Sequence, residues 1–174
     1  KNLLASGDYV RAATVADGYL QRDPENTEIR ALATDAQLKA NVPRWLAMLQ
    51  ARDFDHASAV LAAMKQAGRH DVDLRPLVNE LEWIDALERF VLSRGGSEAP
   101  IRIYRDEDKV KALVSQWEKD PRGHQSALAA IASAVPAFRD RYAEALSHLR
   151  KLDDEPAPPT DLPRRMFAGG SLRI

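Results

Sequence analysis

Residues 3–26, LLASGDYVRAATVADGYLQRDPEN, hold a glycine stop, an amphipathic helix and a proline stop, and they restrict the chain more than any other stretch. Gly7-Asp8 supplies the stop and then an N-cap, because a capping carboxylate accepts from the free N–H groups of the next turn. Tyr9, Ala12, Ala13, Ala16, Tyr19 and Leu20 recur at three- and four-residue steps, which places them on one apolar face. Small side chains let two helix axes approach closely, so a tight antiparallel pair is predicted, with Ala12 buried between its helices. Pro24 disfavours the helical conformation at Asp23 and fits the first turn of the next helix, so Asp23-Pro24-Glu25-Asn26 closes the unit.

Gly7-Asp8-Tyr9, then Ala12, then Asp23-Pro24 with Asn26 resembles the second half of a tetratricopeptide repeat. In that family Gly-x-Tyr joins two helices, a small residue packs between them and Pro ends the unit. Arg52-Asp53-Phe54 followed by Ala57 and Leu61 looks like a second copy, and Trp117 with Asp120-Pro121 like the end of a third. Asp8 and Asp53 are 45 residues apart, against about 34 in the family, and the later copies lack its glycine. The family's packing positions after Pro24 fall on Arg30, Thr34 and Gln37. The resemblance spans about the first hundred residues. It implies a concave protein-binding surface lined by the first helix of each repeat, into which Glu28, Asp35 and Lys39 would point.

Length permits one domain or a run of small repeats, since 174 residues bury a core without metals or disulfides. An aromatic content of 6% with abundant Ala and Leu favours helices over sheets. A net charge of -1 and a pI near 6.5 give no electrostatic footprint for nucleic acid or an anionic membrane. Cysteine is absent, which excludes disulfide and thiol chemistry and leaves the compartment open, with the cytoplasm slightly favoured. No apolar run approaches a membrane span, and Lys1 opens neither on an initiator Met nor on a signal-peptide pattern. We expect a soluble fragment of a larger protein, with more of the repeat upstream; a membrane-tethered parent fits, in which any membrane contact comes through an anchor outside this segment.

After Asn26, the face Ile29, Leu32, Ala33, Ala36 and Ala40 is apolar, with Ala31 and Leu38 opposite. That leaves two polar stripes, Arg30/Gln37/Asn41 and Glu28/Asp35/Lys39, as in a solenoid helix wedged between neighbours. Val42-Pro43 is expected to interrupt this helix, and Trp45 to Leu49 to continue it as a short second one. A partner helix over 54–68 turns Ala57, Val60, Leu61 and Met64 inward and ends at Gly68. The longest helix, 74–94, is capped by Asp73 and ended by Gly95-Gly96; Leu74, Leu77, Val78, Leu81, Ile84, Leu87 and Val91 make it the spine. Residues 100–104 alternate with period two and form the one strand-like segment before the tail. Asp106 opens a helix with Val110, Leu113, Val114 and Trp117 on one face. Leu128, Ile131 and Val135 mark the next, broken at Pro136. The last carries Phe138, Tyr142, Ala145, Leu146, Leu149 and Leu152 at spacings that suit antiparallel packing or a dimer seam. From Asp153, Pro156, Pro158, Pro159 and Pro163 favour an extended linker.

The candidate chemistry is sparse. His56, His70, His124 and His148 lack the pairing that announces a metal site and read as structural histidines. Glu80, Glu82, Asp85 and Glu88 read as the solvated face of the spine, with Asp85 and Arg89 an i, i+4 pair. Arg102, Arg105, Arg164 and Arg165 are offset by Asp106-Glu107-Asp108, which disfavours nucleic acid. Trp45, Trp83 and Trp117 belong to the core. No phosphate loop, nucleophile elbow or dinucleotide fingerprint occurs, so no catalytic residue, metal or cofactor is assigned.

The sequence therefore reads as an all-α array of about eight or nine helices, in antiparallel hairpins that form a tetratricopeptide-like solenoid or bundle. The helical domain is 1–152, divisible into a repeat part, 1–94, and a C-terminal part, 106–152; 153–174 is the tail. Its expected function is protein–protein interaction as a scaffold or adaptor, with another protein or peptide as partner. The alternatives are an assembly domain that self-associates through its last helix or tail, and a helical small-ligand sensor. Beside Glu28, Asp35 and Lys39, Phe167 is a candidate contact: it is expected to dock in an apolar groove while 171–174 pairs with 101–104.

Overall fold

Four helix starts share one local device. Asp8, Asn26, Asp53 and Asp120 each precede a helix, and each side-chain oxygen accepts from the N–H three residues on, at Arg11, Ile29, His56 and Gly123. In the computed structural model, which describes residues 8–93 and 108–153, these and the apolar faces between them give seven helices and no strand among the described residues. They are α1 (Tyr9–Arg22), α2 (Thr27–Gln50), α3 (Phe54–Ala67), α4 (Leu74–Ser93), α5 (Asp108–Lys119), α6 (Pro121–Ala134) and α7 (Phe138–Asp153). The all-α architecture is thus the observed one. The strand-like segment at 100–104, the Gly95-Gly96 stop, Asp106 and the tail with Phe167 lie outside the described residues.

α1 packs on α2, α2 on α3 and α3 on α4, joined by short turns. Then the chain folds back: α6 and α7 both lie against α4 and α2, while α5 packs on α6 and α7. One apolar core consequently runs from Leu38 of α2 through Trp45, Leu61, Leu81 and Leu128 to Leu149 of α7, with Trp45 and Phe138 in ring contact at 6.2 Å. The two parts on either side of residues 94–107 share this core. A smaller cluster of Ala16, Leu20 and Ala33, with Ile29 beside it, joins α1 to α2. On α7, Phe138, Ala145 and Leu149, members of the face read as a dimer seam, are already covered within the chain.

Several expectations are corrected. α2 does not break at Pro43 but runs unbroken for 24 residues. Pro43 is exposed, so the carbonyl its ring deprives of a helical donor is on the outer side, while Val42, Trp45 and Leu49 keep the same helix in the core. Where two helices were expected between Asn26 and Asp53, there is one. Ala12 is only half-buried, and Ala13, one residue on, is buried instead. Gln37, read as part of a polar stripe, is buried, with its side-chain oxygen accepting from Asn41.

The turn from α3 to α4 is pinned by three acids. Asp17 of α1 accepts from the His70 backbone at 3.1 Å and lies 2.9 Å from its Nδ1, and Asp73 pairs with Arg30 at 2.9 Å. Asp71, not Asp73, organises the start of α4: it is buried, takes the Thr34 hydroxyl and accepts from the Asp73 N–H. Gly68 closes α3 where a Cβ would collide with Leu74 Cδ2, so the glycine is there for close approach.

Candidate functional site

The residues read as the solvated face of the spine are mostly inside. Glu80, Asp85 and Glu88 are buried, because α4 is covered on more than one side and residues 81, 84, 85 and 88 form a single 0, 3, 4, 7 series on it. Each buried acid meets a partner from another helix. Glu80 Oε2 lies 2.7 Å from His124 Nδ1 of α6. Glu88 takes Arg141 at 3.0 Å and has His148 Nδ1 2.9 Å from its other oxygen, off the direction of a true hydrogen bond. Burial alone would raise the Glu88 carboxyl, but His148 and Arg141 together outweigh it and hold it below its ordinary value.

Asp85 differs from the other two. Its Oδ2 accepts from the Ser58 hydroxyl at 2.8 Å, and Ser58 in turn accepts from Arg89 at 3.1 Å. Its Oδ1 is buried and has no hydrogen-bond partner. Burial pushes this carboxyl up, more than the Ser58 bond and the Arg89 charge pull it down. The expected Asp85–Arg89 ion pair is therefore replaced by a relay through Ser58, with Arg89 also 3.7 Å from Asp55 and over the Phe54 ring.

Asp85 lines an open cleft of about 630 Å³ between α3, α4 and α5. Leu61, Ala86, Phe90, Ala112 and Leu113 make its apolar wall. Glu82, Arg89 and Lys109 put both signs of charge along it, and Glu82 is paired to Lys65 at 3.0 Å. A second, more polar cleft of about 350 Å³ runs beside Arg52, Glu88, Arg141 and His148.

The residues singled out from the sequence sit elsewhere. Glu28 is exposed in the first turn of α2. Asp35 and Lys39 bridge each other at 2.9 Å on the same stripe, and Lys39 stands over the Tyr9 ring at 5.7 Å. The hydrogen bond to Asp35 raises the Lys39 ammonium above its ordinary value. The structure thus brings Asp35 and Lys39 together at the α1–α2 edge and leaves Glu28 apart; Phe167 lies outside the described residues. Sequence reasoning does not pick out Ser58 and Asp85 as the polar pair of the main groove. The signal is present in the 0, 3, 4, 7 series, which puts a carboxylate on the same face as Leu81 and Ile84.

Each of the four histidines has a carboxylate within 3 Å of Nδ1: Asp53, Asp17, Glu80 and Glu88 for His56, His70, His124 and His148. These are separate pairs, and among the described residues no three His, Asp or Glu side chains converge as a metal site requires. No helix among the described residues is long and apolar enough to cross a membrane. No known protein family, curated protein or solved structure matches the chain.

Proposed function

We propose that the chain is a tetratricopeptide-like interaction module that holds a peptide segment of another protein in the groove between α3, α4 and α5. One observation carries this reading: among the described residues the cleft is partly open rather than enclosed, with an apolar wall and charges of both signs at its edge. A small-ligand sensor or an enzyme calls for an enclosed pocket with convergent polar groups. An extended segment needs instead a surface that alternates apolar and polar contacts, and this groove offers one. The hairpins α1–α2 and α2–α3, begun by Asp and Asn caps, are compatible with the repeat resemblance. In this reading no bond is made or broken, and binding is the whole activity.

Selection of random displayed peptides on the purified chain tests this. Ala86 and Ala112 are exposed and line the groove, so Ala86→Trp fills it without touching the core. Selected peptides should bind the parent and lose at least about tenfold in affinity for Ala86→Trp, whose melting should match the parent's. Equal binding to both proteins, or no enrichment at all, overturns the proposal.

A further inference from the structure

We propose that the groove selects an arginine in the bound segment, whose guanidinium donates to Asp85 Oδ1. This rests on the reading of the groove as a peptide-binding surface and names what it recognises. Asp85 is 5% exposed, yet one of its two oxygens has no donor. A buried acceptor without a donor costs about as much as a lost hydrogen bond, so a ligand that brings one gains an interaction the free protein lacks. The neighbours favour a planar cation. Glu82 and Asp85 are three residues apart on α4, share a side of the helix and both line the groove, so one guanidinium can span them. Arginine is also less strongly hydrated than lysine and loses less on entering a half-covered cleft.

The remaining charges around Asp85 are compatible with that arrival. From α3 come Ser58, Asp55 and Lys65; from α4, Glu82 and Arg89; from α5, Lys109. Lys65 is engaged by Glu82, and Arg89 by Ser58 with Asp55 3.7 Å away. Arg89 is exposed, and with Asp55 at 3.7 Å and the Phe54 ring beneath it, it keeps partners if the incoming group displaces its 3.1 Å bond to Ser58. Because burial already holds Asp85 above the ordinary carboxyl value, binding should weaken on acidification earlier than a surface carboxylate would allow.

The probe is N-acetyl-arginine-N-methylamide, titrated into isotope-labelled protein to about 0.1 M and followed by amide shifts, with the uncharged citrulline analogue beside it. The expected result is shifts centred on Ser58, Glu82, Asp85 and Ala86, about tenfold weaker with citrulline and absent in Asp85→Asn, with apparent affinity falling as pH drops. No shift, shifts elsewhere, or equal binding by Asp85→Asn overturns the assignment. Displayed peptides separate the two ideas. If they bind in a manner sensitive to Ala86→Trp, but replacement of their arginines by methionine and Asp85→Asn both change nothing, the groove reading stands and this inference falls. If no peptide depends on Ala86, the groove reading fails, and the amide titration still decides whether Asp85 takes a guanidinium.

Discussion

His124 and Glu80 meet at 2.7 Å in the buried seam between α4 and α6, while the other ring nitrogen of His124 lies 2.7 Å from the Gln116 carbonyl. A carbonyl only accepts, so Nε2 is the donor to it, and Nδ1 faces a carboxyl that burial has pushed above its ordinary value. Trp83 and Trp117 wall the ring at 5.5 and 5.0 Å and stack on each other at 5.5 Å. Removing either partner strands the other in this slot. His124→Ala or Glu80→Ala should each cost about 3–5 kcal/mol in urea denaturation, whereas Glu80→Leu with His124→Phe should cost less than either alone. Additive losses in the double variant would show that the two groups do not act as a pair.

The helices were legible in the sequence because their signals are local. Asp caps, the stop at Asp120-Pro121 and the three-four spacing of Leu74, Leu77, Val78 and Leu81 depend on neighbours in the chain. What escaped is tertiary. Whether Asp85 and Glu88 face water depends on other helices folding over α4, with α3 on one side and α6 and α7 on another, which no window of sequence contains. Two of the histidines illustrate the same limit, His70 meeting Asp17 across 53 residues and His124 meeting Glu80 across 44, whereas His56 and Asp53 are only three apart. Pro43 misled in the opposite sense, since a local breaker was overridden by core packing on the far side of the helix.

Arg52 has φ of 60°, in the region that glycine favours. It ends α2 in a Schellman turn: its N–H donates to the Leu49 carbonyl, and the Asp53 N–H reaches the Met48 carbonyl. The residue before the Asp53 cap stands where Gly7 stands before Asp8, so the glycine missing from the second repeat-like copy is missing where the backbone asks for one. Arg52→Gly should stabilise the protein by about 0.5–1 kcal/mol, the relief of left-handed strain less the extra freedom of the unfolded chain. The denaturation midpoint should rise at unchanged slope; an unchanged or lowered midpoint would refute this.

Between α1 and α2 the tolerance for bulk should change over one residue. Ala13 is 3% exposed and Ala33 1%, and Ala33 clusters with Ala16, Leu20 and Ile29 one turn along from Ala13. Ala13→Leu should overpack this seam and cost about 1–3 kcal/mol. Ala12 is half-buried, so Ala12→Leu should cost well under half as much. Thermal melts of the pair check the register of α1, and equal losses would place the seam where the sequence spacing put it, on Ala12 as much as Ala13.

Asp85 and Glu88 should give opposite pH signatures from positions three residues apart. Burial raises the Asp85 carboxyl above its ordinary 3.8, so the folded state binds this proton more tightly than the unfolded one. Its stabilising contribution is therefore full at low pH and is lost as pH rises from near 3.8 through the folded value. Glu88 is the reverse: although burial opposes it, His148 and Arg141 hold it below 4.5, so its contribution is present above that value and lost as pH falls through the folded one. Asp85→Asn should thus gain stability relative to the parent at neutral pH, with the gain vanishing below pH 3.8. Glu88→Gln should lose stability at neutral pH, with the loss shrinking as pH falls below 4.5. Denaturation of the three proteins across this range reads both signs at once. Parallel curves for Asp85→Asn and the parent would mean that Asp85 titrates as an ordinary surface acid, and so that its side of α4 is not covered as described.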